Sequence, residues 1–463
     1  NAWAGFALDE ERGIVYAPTG SAAPDFFGGN REGDNLFANS LLALDATTGE
    51  RIWHFQAIRH DIWDRDFPSP PSLVTVQRDG KTIDAVAQPS KQGYLYLFDR
   101  LTGESIFPIE EFAVPPSPIP EEHASPTQRL PTAPAPFARQ TLTADMLTTR
   151  SPELNEWARE VFSTFLSAGE FTPFRTEQPV VLIPGFDGGA EWGGSAIDPD
   201  KGIIYTNSND IAWTGQLAAS PDGIGFEEAL YQAQCAVCHG IDKQGAPPEF
   251  PSLIASAETL SADEIESIIR NGVGRMPGFP ALAPEAVAGL TELVLNPDSA
   301  TSSSIEEDSV PTASDEGSAV PYRFTGYHRF FDPDGYPAVA PPWGTLNAID
   351  LNTGEYLWKI PFGEHPELKA EGMETTGSEN YGGPVLTASG LLFIGATLFD
   401  QKMRAFDAAT GELLWEYEMP YSGMATPAVY MVDGKQYVVI QASNQRNPKG
   451  KQGSAYIAFA LPE

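Results

Sequence analysis

The sequence predicts an all-β protein, a β-propeller of about five four-stranded blades, with a small all-α unit inserted into one blade. Two families of repeated hairpins predict the blades, and a stretch of helical periodicity around a Cys-x-x-Cys-His motif predicts the insertion. Composition agrees: 463 residues include 43 Gly, 41 Pro and 9 Trp, which suits short strands joined by tight turns and excludes an all-helical chain. No apolar run reaches the roughly 18 residues expected of a membrane-spanning helix.

The first hairpin is Ala43-Leu-Asp45-Ala-Thr-Thr-Gly49-Glu50-Arg-Ile-Trp53, repeated as Ala348-Ile-Asp350-Leu-Asn-Thr-Gly354-Glu355-Tyr-Leu-Trp358 and Ala405-Phe-Asp407-Ala-Ala-Thr-Gly411-Glu412-Leu-Leu-Trp415. A fourth copy, Leu97-Phe-Asp99-Arg-Leu-Thr-Gly103-Glu104-Ser-Ile-Phe107, has Phe in place of Trp. Each reads as an apolar strand, a D-x-x-T-G-E turn and a second strand, the outer half of a blade, with the Trp packing between blades. The second hairpin, Phe6-Ala-Leu-Asp9-Glu-Glu-Arg-Gly13-Ile-Val-Tyr16 and Ser195-Ala-Ile-Asp198-Pro-Asp-Lys-Gly202-Ile-Ile-Tyr205, is the inner half. Five blades follow, at residues 1–60, 70–107, 190–362, 380–420 and 422–461, the last with three strands. An array with an open edge reads as a fragment, because closure is how this architecture removes sticky edges.

Two stretches stand outside the blades. Residues 108–150 are proline-rich and read as a surface excursion, followed by an amphipathic helix over Pro152–Ser167. Residues 223–320 hold helical patterns at Phe226–Gln234, Ser261–Asn271 and Pro284–Leu295 and end in a Ser/Asp/Glu-rich segment. With those residues set aside, the spacing from Asp198 to Asp350 approaches that from Asp350 to Asp407, so the unit interrupts one blade between its second and third strands. The expected domains are 1–222 and 321–463 for the propeller, 223–300 for the insertion and 301–320 for an acidic linker.

A formal charge of −35 repels polyanions and excludes nucleic acid as a partner. The two cysteines, Cys235 and Cys238, precede His239 in the attachment order of a c-type haem: two thioethers and an axial imidazole. Such attachment takes place outside the cytoplasm, so a periplasmic or other extracytoplasmic location is expected. An export signal or membrane anchor would lie in an amino-terminal part absent from this chain.

In a propeller, the turns within the hairpins lie on one face and the remaining loops on the other. On the second face the sequence places varied polar loops: Gly20 to Asp25, His60-Asp61-Ile-Trp63-Asp64, Pro89-Ser-Lys91, Asn207-Ser-Asn209-Asp210, Ser378-Glu-Asn380 and Asn444-Gln-Arg446-Asn447. Such a face is where a cofactor site is expected. A desolvated carboxylate in the 60–64 loop suits a general base, or else an Asx-type turn cap. Lys91 suits a cation that polarises a carbonyl or quinone oxygen, or else a rim lysine with its charge in water.

These residues resemble the pyrroloquinoline quinone (PQQ)-dependent dehydrogenases, most closely the quinoprotein glucose dehydrogenase branch. The resemblance covers residues 1–215 and 340–463. It rests on Tyr16 to Gly29, His60 to Asp64, Pro89-Ser-Lys-Gln-Gly93, Glu191-Trp-Gly-Gly194, Gly382-Gly-Pro384 and Phe393-Ile-Gly-Ala-Thr397. It implies an eight-bladed propeller that binds PQQ and calcium or magnesium and oxidises a sugar or alcohol hydroxyl. It further implies that Asp64 is the catalytic base, that Lys91 contacts the quinone oxygens, that Trp3 stacks under the cofactor and that Asn207 or Asn209 touches it. Ser21 stands where related alcohol dehydrogenases carry a metal-binding Asn, with Asp25 an alternative oxygen ligand. The family's ligating Glu lies upstream.

The inserted unit resembles a small class I cytochrome c, with Met276 in Asn271-Gly-Val-Gly-Arg-Met276-Pro as the second axial ligand. The combined expectation is a quinohaemoprotein dehydrogenase acting on a glucose-like aldose or an alcohol. Its electrons would pass through the haem to a soluble cytochrome, a copper protein or a respiratory quinone. The rival readings are a non-enzymatic propeller scaffold of the outer-membrane assembly type and a haem-bearing docking platform for an electron-transfer partner.

Overall fold

The computed structural model describes residues 1–220, 226–247, 250–274, 276–280, 282–296, 321–373 and 375–461; the expected linker at 301–320 lies outside them. They divide into two compact units. One comprises Asn1–Pro173, Val181–Trp213 and Phe330–Glu463, the other Phe174–Val180 and Thr214–Arg329.

The first unit contains the blades. Blade I is an antiparallel sheet of Ala7–Asp9, Ile14–Pro18, Ser40–Asp45 and Arg51–Gln56. Blade II has Ser72–Arg78, Lys81–Pro89 and Leu95–Asp99, with its outer edge reduced to a bridge between Phe98 and Ser105. Blade III pairs Ala196–Asp198 and Ile203–Asn209 with Gly344–Asp350 and Glu355–Pro361, so Asn209 registers with Gly344 across a long intervening segment. Blade IV is Val385–Leu386, Leu391–Ile394, Lys402–Asp407 and Leu413–Glu418, and blade V is Ala428–Val432, Lys435–Ser443 and Ser454–Phe459.

The repeated turn has a local cause. In blade I the Asp45 carboxylate accepts the N–H groups of Thr47 and Thr48 at 2.9 and 2.8 Å, and Gly49 takes φ +75°, a conformation other residues rarely adopt. Asp99 and Asp407 do the same in blades II and IV. The turn glycine also receives the preceding blade's aromatic ring. A Cβ on Gly103 would lie 2.6 Å from Trp53, one on Gly411 2.8 Å from Trp358, and one on Gly354 2.9 Å from Phe107. The indoles of Trp53 and Trp358 donate to the carbonyls of Arg100 and Ala408 at 2.8 and 3.0 Å. The Trp and the Gly of the repeat are therefore one device that docks consecutive blades.

Apolar cores fill the spaces between blades. Val74, Ala87 and Leu97 of blade II meet Ile204 and Ile349 of blade III; Leu346 and Trp358 meet Leu392 and Phe406 of blade IV; Met403 meets Val438 and Ile440 of blade V. Residues 108–150 are more than a surface excursion. They form a ribbon of Ile109–Ala113 with Thr127–Pro131 and bury Phe137 in the core between blades II and III. Prolines fix the chain's φ without ending its usefulness as packing. The helix that follows runs Pro152–Phe162, with the Ser151 side chain capping it.

The second unit is helical: Phe226–Gln234, Ala236–His239, Leu253–Ala257, Ala262–Asn271 and Pro284–Leu295. The Ala262 helix starts on a reciprocal cap between Ser261 and Glu264. Tyr231, Ile265, Ile269, Val287, Leu290 and Leu293 form its core. Leu217–Ala219 pairs with Tyr322–Phe324 at its two ends, so the unit extends beyond the helical region read from sequence. Among the described residues no helix is long and apolar enough to cross a membrane.

Candidate active site and haem-binding unit

Two loops of the first unit bring Asp64 and Lys91 together. Lys91 follows the second strand of blade II, and Asp64 sits between blades I and II with φ +58°, as does His60 with φ +45°. The Lys91 ammonium lies 3.0 Å from Asp64 Oδ2 and 3.1 Å from Asp66 Oδ2, and the three residues are 7, 9 and 6 % exposed. One buried cation therefore serves two carboxylates, which differ. Burial holds the Asp64 carboxyl well above its usual range despite Lys91. Burial acts on Asp66 too, but Lys91 and hydrogen bonds from Ser21 outweigh it and keep that carboxyl below its usual range. Burial also works against the charge on Lys91, and the two carboxylates overcome it, so its ammonium is held more firmly than usual.

The loop is held by hydrogen bonds that motif reading did not anticipate. Asp61 accepts the N–H groups of Trp63 and Arg65 at 2.9 and 2.7 Å and the Asn39 amide at 2.8 Å, which explains its backbone course. His60 Nδ1 faces the Gly33 carbonyl at 2.7 Å and Nε2 faces Glu122 at 3.1 Å; Glu122 also accepts the Gly28 N–H at 2.6 Å. Glu122 comes from the proline-rich excursion and raises the His60 pKa above 6.5, burial opposing it. Arg65 is fully buried against Glu170, whose carboxyl burial pushes up to about 7, Arg65 opposing.

Asn207 and Asn209 end the second strand of blade III in a buried amide cluster with Asn380. Asn207 Nδ2 donates to Asn380 Oδ1 at 2.6 Å, and Asn209 Nδ2 donates to the Asn380 carbonyl at 2.9 Å and to Glu191 at 3.2 Å. Asn209 Oδ1 in turn accepts the Asn380 N–H at 2.9 Å. Backbone hydrogen bonds join this cluster to the acidic one: Gly189 donates to the Lys91 carbonyl at 2.6 Å and accepts from Asn209 at 3.0 Å. Trp3, 48 % exposed, has its indole nitrogen 3.0 Å from where a Gly20 Cβ would stand, and Asp66 Oδ1 is also 3.0 Å from that point.

Ser21 donates its backbone N–H to Asp66 at 2.6 Å and its hydroxyl to Asp66 and Asp61. Burial, then the charge of Asp66, pushes the Asp25 carboxyl up to about 6. Among the described residues no group of three or more His, Cys, Asp or Glu side chains is placed to hold a metal ion. Ser21 and Asp25 thus lie in the acidic cluster balanced by Lys91.

In the helical unit, Cys235 stands at the N-cap of the Ala236–His239 helix and Cys238 lies within it; both are half-buried, and burial, then Cys238, pushes the Cys235 thiol up to about 12. His239 is buried, and its Nδ1 lies 2.9 Å from the Pro251 carbonyl. A carbonyl can only accept, so Nδ1 carries the proton and Nε2 keeps its lone pair for a metal. Met276 packs against the same core, in a loop closed by Val273 and Met276 bonding each other. Gly272 permits that loop, since a Cβ there would come within 2.5 Å of the Met276 carbonyl. These residues fit a covalently attached haem.

Repeated four-stranded blades and a Cys-x-x-Cys-His helical unit define a β-propeller chain that also carries a cytochrome-type unit. The chain belongs to the family described as glucose/ethanol/alcohol dehydrogenase, β-propeller domain, which binds PQQ and matches over residues 1–256 and 282–438. Residues 227–294 match the cytochrome c oxidase, cbb3-type, subunit III family. The chain is 30 % identical to quinoprotein glucose dehydrogenase of Escherichia coli (strain K12), over 100 % of this chain and 49 % of that protein. It is likewise 30 % identical to the glycerol dehydrogenase large subunit of Gluconobacter thailandicus, over 100 % and 54 %. It spans about half the length of the curated relatives it matches. Among solved structures, quinohemoprotein alcohol dehydrogenase from Comamonas testosteroni matches with TM-score 0.52 and 19 % identity, over 99 % of this chain and 49 % of that one, a likeness of fold.

Proposed function

We propose that the chain is part of an extracytoplasmic quinohaemoprotein dehydrogenase that oxidises the hydroxyl of a glucose-like aldose or an alcohol. The observation that carries this is the buried Asp64–Lys91–Asp66 set, in which one carboxyl is poised to take a proton while its neighbour stays charged. When bound, the quinone supplies a two-electron acceptor for the carbon-bound hydrogen. Asp64 takes the substrate's hydroxyl proton, and its raised pKa makes it a stronger acceptor than an exposed carboxylate. Lys91 stays charged beside it and stabilises negative charge that develops on nearby oxygens. Asp66 balances the Lys91 charge once Asp64 is protonated.

Lys91, Trp3 and the asparagine pair would hold the quinone. Asn209 spends its amide on Glu191 and Asn380, whereas Asn207 makes one such bond, which favours Asn207 as the contact. The haem would be joined to Cys235 and Cys238, with His239 and Met276 as axial ligands, and would relay electrons to an external acceptor such as a soluble cytochrome, a copper protein or a respiratory quinone. Calcium or magnesium would need ligands beyond Ser21 and Asp25. The propeller domain is assigned to 1–222 and 321–463 and the cytochrome domain to 223–300.

The test is reconstitution of the chain with PQQ and a divalent cation, followed by glucose, other aldoses and simple alcohols, with haem absorbance as readout. Haem reduction that needs both quinone and one of these hydroxyl compounds is expected. Quinone binding with no haem reduction by any of them would overturn the proposal.

A further inference from the structure

The loop between the last two strands of blade V carries Arg446. Its guanidinium carbon lies 3.9 Å from the centroid of the Tyr381 ring, and its Nε and Nη2 are buried without a hydrogen-bond partner. No acidic side chain among the described residues is ion-paired with it, in a chain whose formal charge is −35. Buried guanidinium N–H groups left unbonded are unfavourable, so a partner of opposite charge is expected to complete them.

Arg446 lies beside the loops of the proposed site. Tyr381 follows Asn380, and its carbonyl accepts the Gly193 N–H at 3.2 Å. Its hydroxyl reaches towards Asp187 at 3.4 Å, and the next residue, Gly188, packs so closely on Lys91 that a Cβ there would come within 2.7 Å of Lys91 Cγ. Tyr381 thus stands between the guanidinium and the backbone that abuts Lys91. The ring holds the guanidinium in place, and the unpartnered Nε and Nη2 are the pair of N–H donors with which a guanidinium can grip a planar anion through two parallel bonds.

We infer that Arg446 binds a carboxylate of the quinone cofactor, a planar ring system bearing three carboxylates. This rests on the function proposed above. Arg446 would then set affinity and orientation at the edge of the cofactor, while Lys91 acts at its quinone oxygens.

The experiment titrates the haem-bearing, quinone-free chain with PQQ and with its trimethyl ester, in wild type, Arg446→Gln and Arg446→Lys, reading binding by quenching of tryptophan fluorescence. Arg446→Gln should weaken PQQ about ten-fold or more and the ester less than about two-fold, with Arg446→Lys in between. Unchanged haem and circular dichroism spectra confirm the fold of each variant. Equal loss for PQQ and ester, or no loss, overturns the inference while leaving the proposed function standing. Intact quinone affinity with weakened turnover of carboxylate-bearing substrates alone would assign the anion to the substrate and overturn it too. A wild type that binds no PQQ refutes the proposed function itself, and the inference falls with it.

Discussion

Replacing Gly103 by Ala separates blade docking from turn geometry, because Gly80 in the same blade provides a matched control. Both glycines have positive φ, +70° and +74°, so Ala pays the same left-handed backbone strain at each, about 1–2 kcal/mol. A Cβ at Gly80 meets nothing within 4 Å, whereas at Gly103 it stands 2.6 Å from Trp53 Cδ2, far inside van der Waals contact. Displacing the indole adds an overpacking cost of about 1–3 kcal/mol and removes the 2.8 Å bond to the Arg100 carbonyl, worth about 1 kcal/mol. Gly103→Ala should therefore destabilise the first unit by about 2–4 kcal/mol more than Gly80→Ala. Denaturant unfolding followed by circular dichroism measures both. Equal midpoints for the two variants would refute the docking role of the repeated Trp and Gly.

Met276→Leu should keep the packing and the covalent haem but lose the thioether ligand, which lowers the reduction potential in a redox titration; an unchanged potential would remove Met276 from the iron. His239→Ala should abolish low-spin haem absorbance. The His60–Glu122 pair makes stability depend on pH with a definite sign. Because the folded pKa of His60 is raised, its contribution is fully present below 6.5 and is lost as pH rises through the higher folded value. Denaturation midpoints measured above pH 6.5 should fall in the wild type, and Glu122→Gln should flatten that limb.

The blades were legible because their signal is local and repeated. An Asp that accepts the N–H groups two and three residues on, a Gly at positive φ and a ring eight residues after the Asp leave the same trace wherever they recur. Helix limits were legible where caps are written in the chain, as at Ser151 and Ser261, while the short helices Leu253–Ala257 and Pro366–Ala370 carry too few turns for a period to show. In the site, Asp64 and Lys91 could be singled out by loop position, and the structure puts them in contact. Asp66 and Glu122 could not, because each acquires its role from a partner far away in sequence, Lys91 and His60, and Asn380 was placed in a polar loop without its pairing to Asn209 being readable. Asp66 had one readable trace, a second carboxylate at i+2 from Asp64. Arg446 was visible as a polar loop residue, but its unpaired guanidinium shows only in three dimensions.

Asp64→Asn removes the proton acceptor while preserving the side chain's shape. In quinone-loaded, haem-bearing protein, at a pH above the raised pKa of Asp64, haem reduction by substrate should slow about 10²–10⁴-fold, with quinone affinity retained. Stopped-flow absorbance of the haem gives that rate directly. Wild-type reduction kinetics in Asp64→Asn would contradict the assignment of Asp64 as the base and, with it, the chemistry proposed for this face of the propeller.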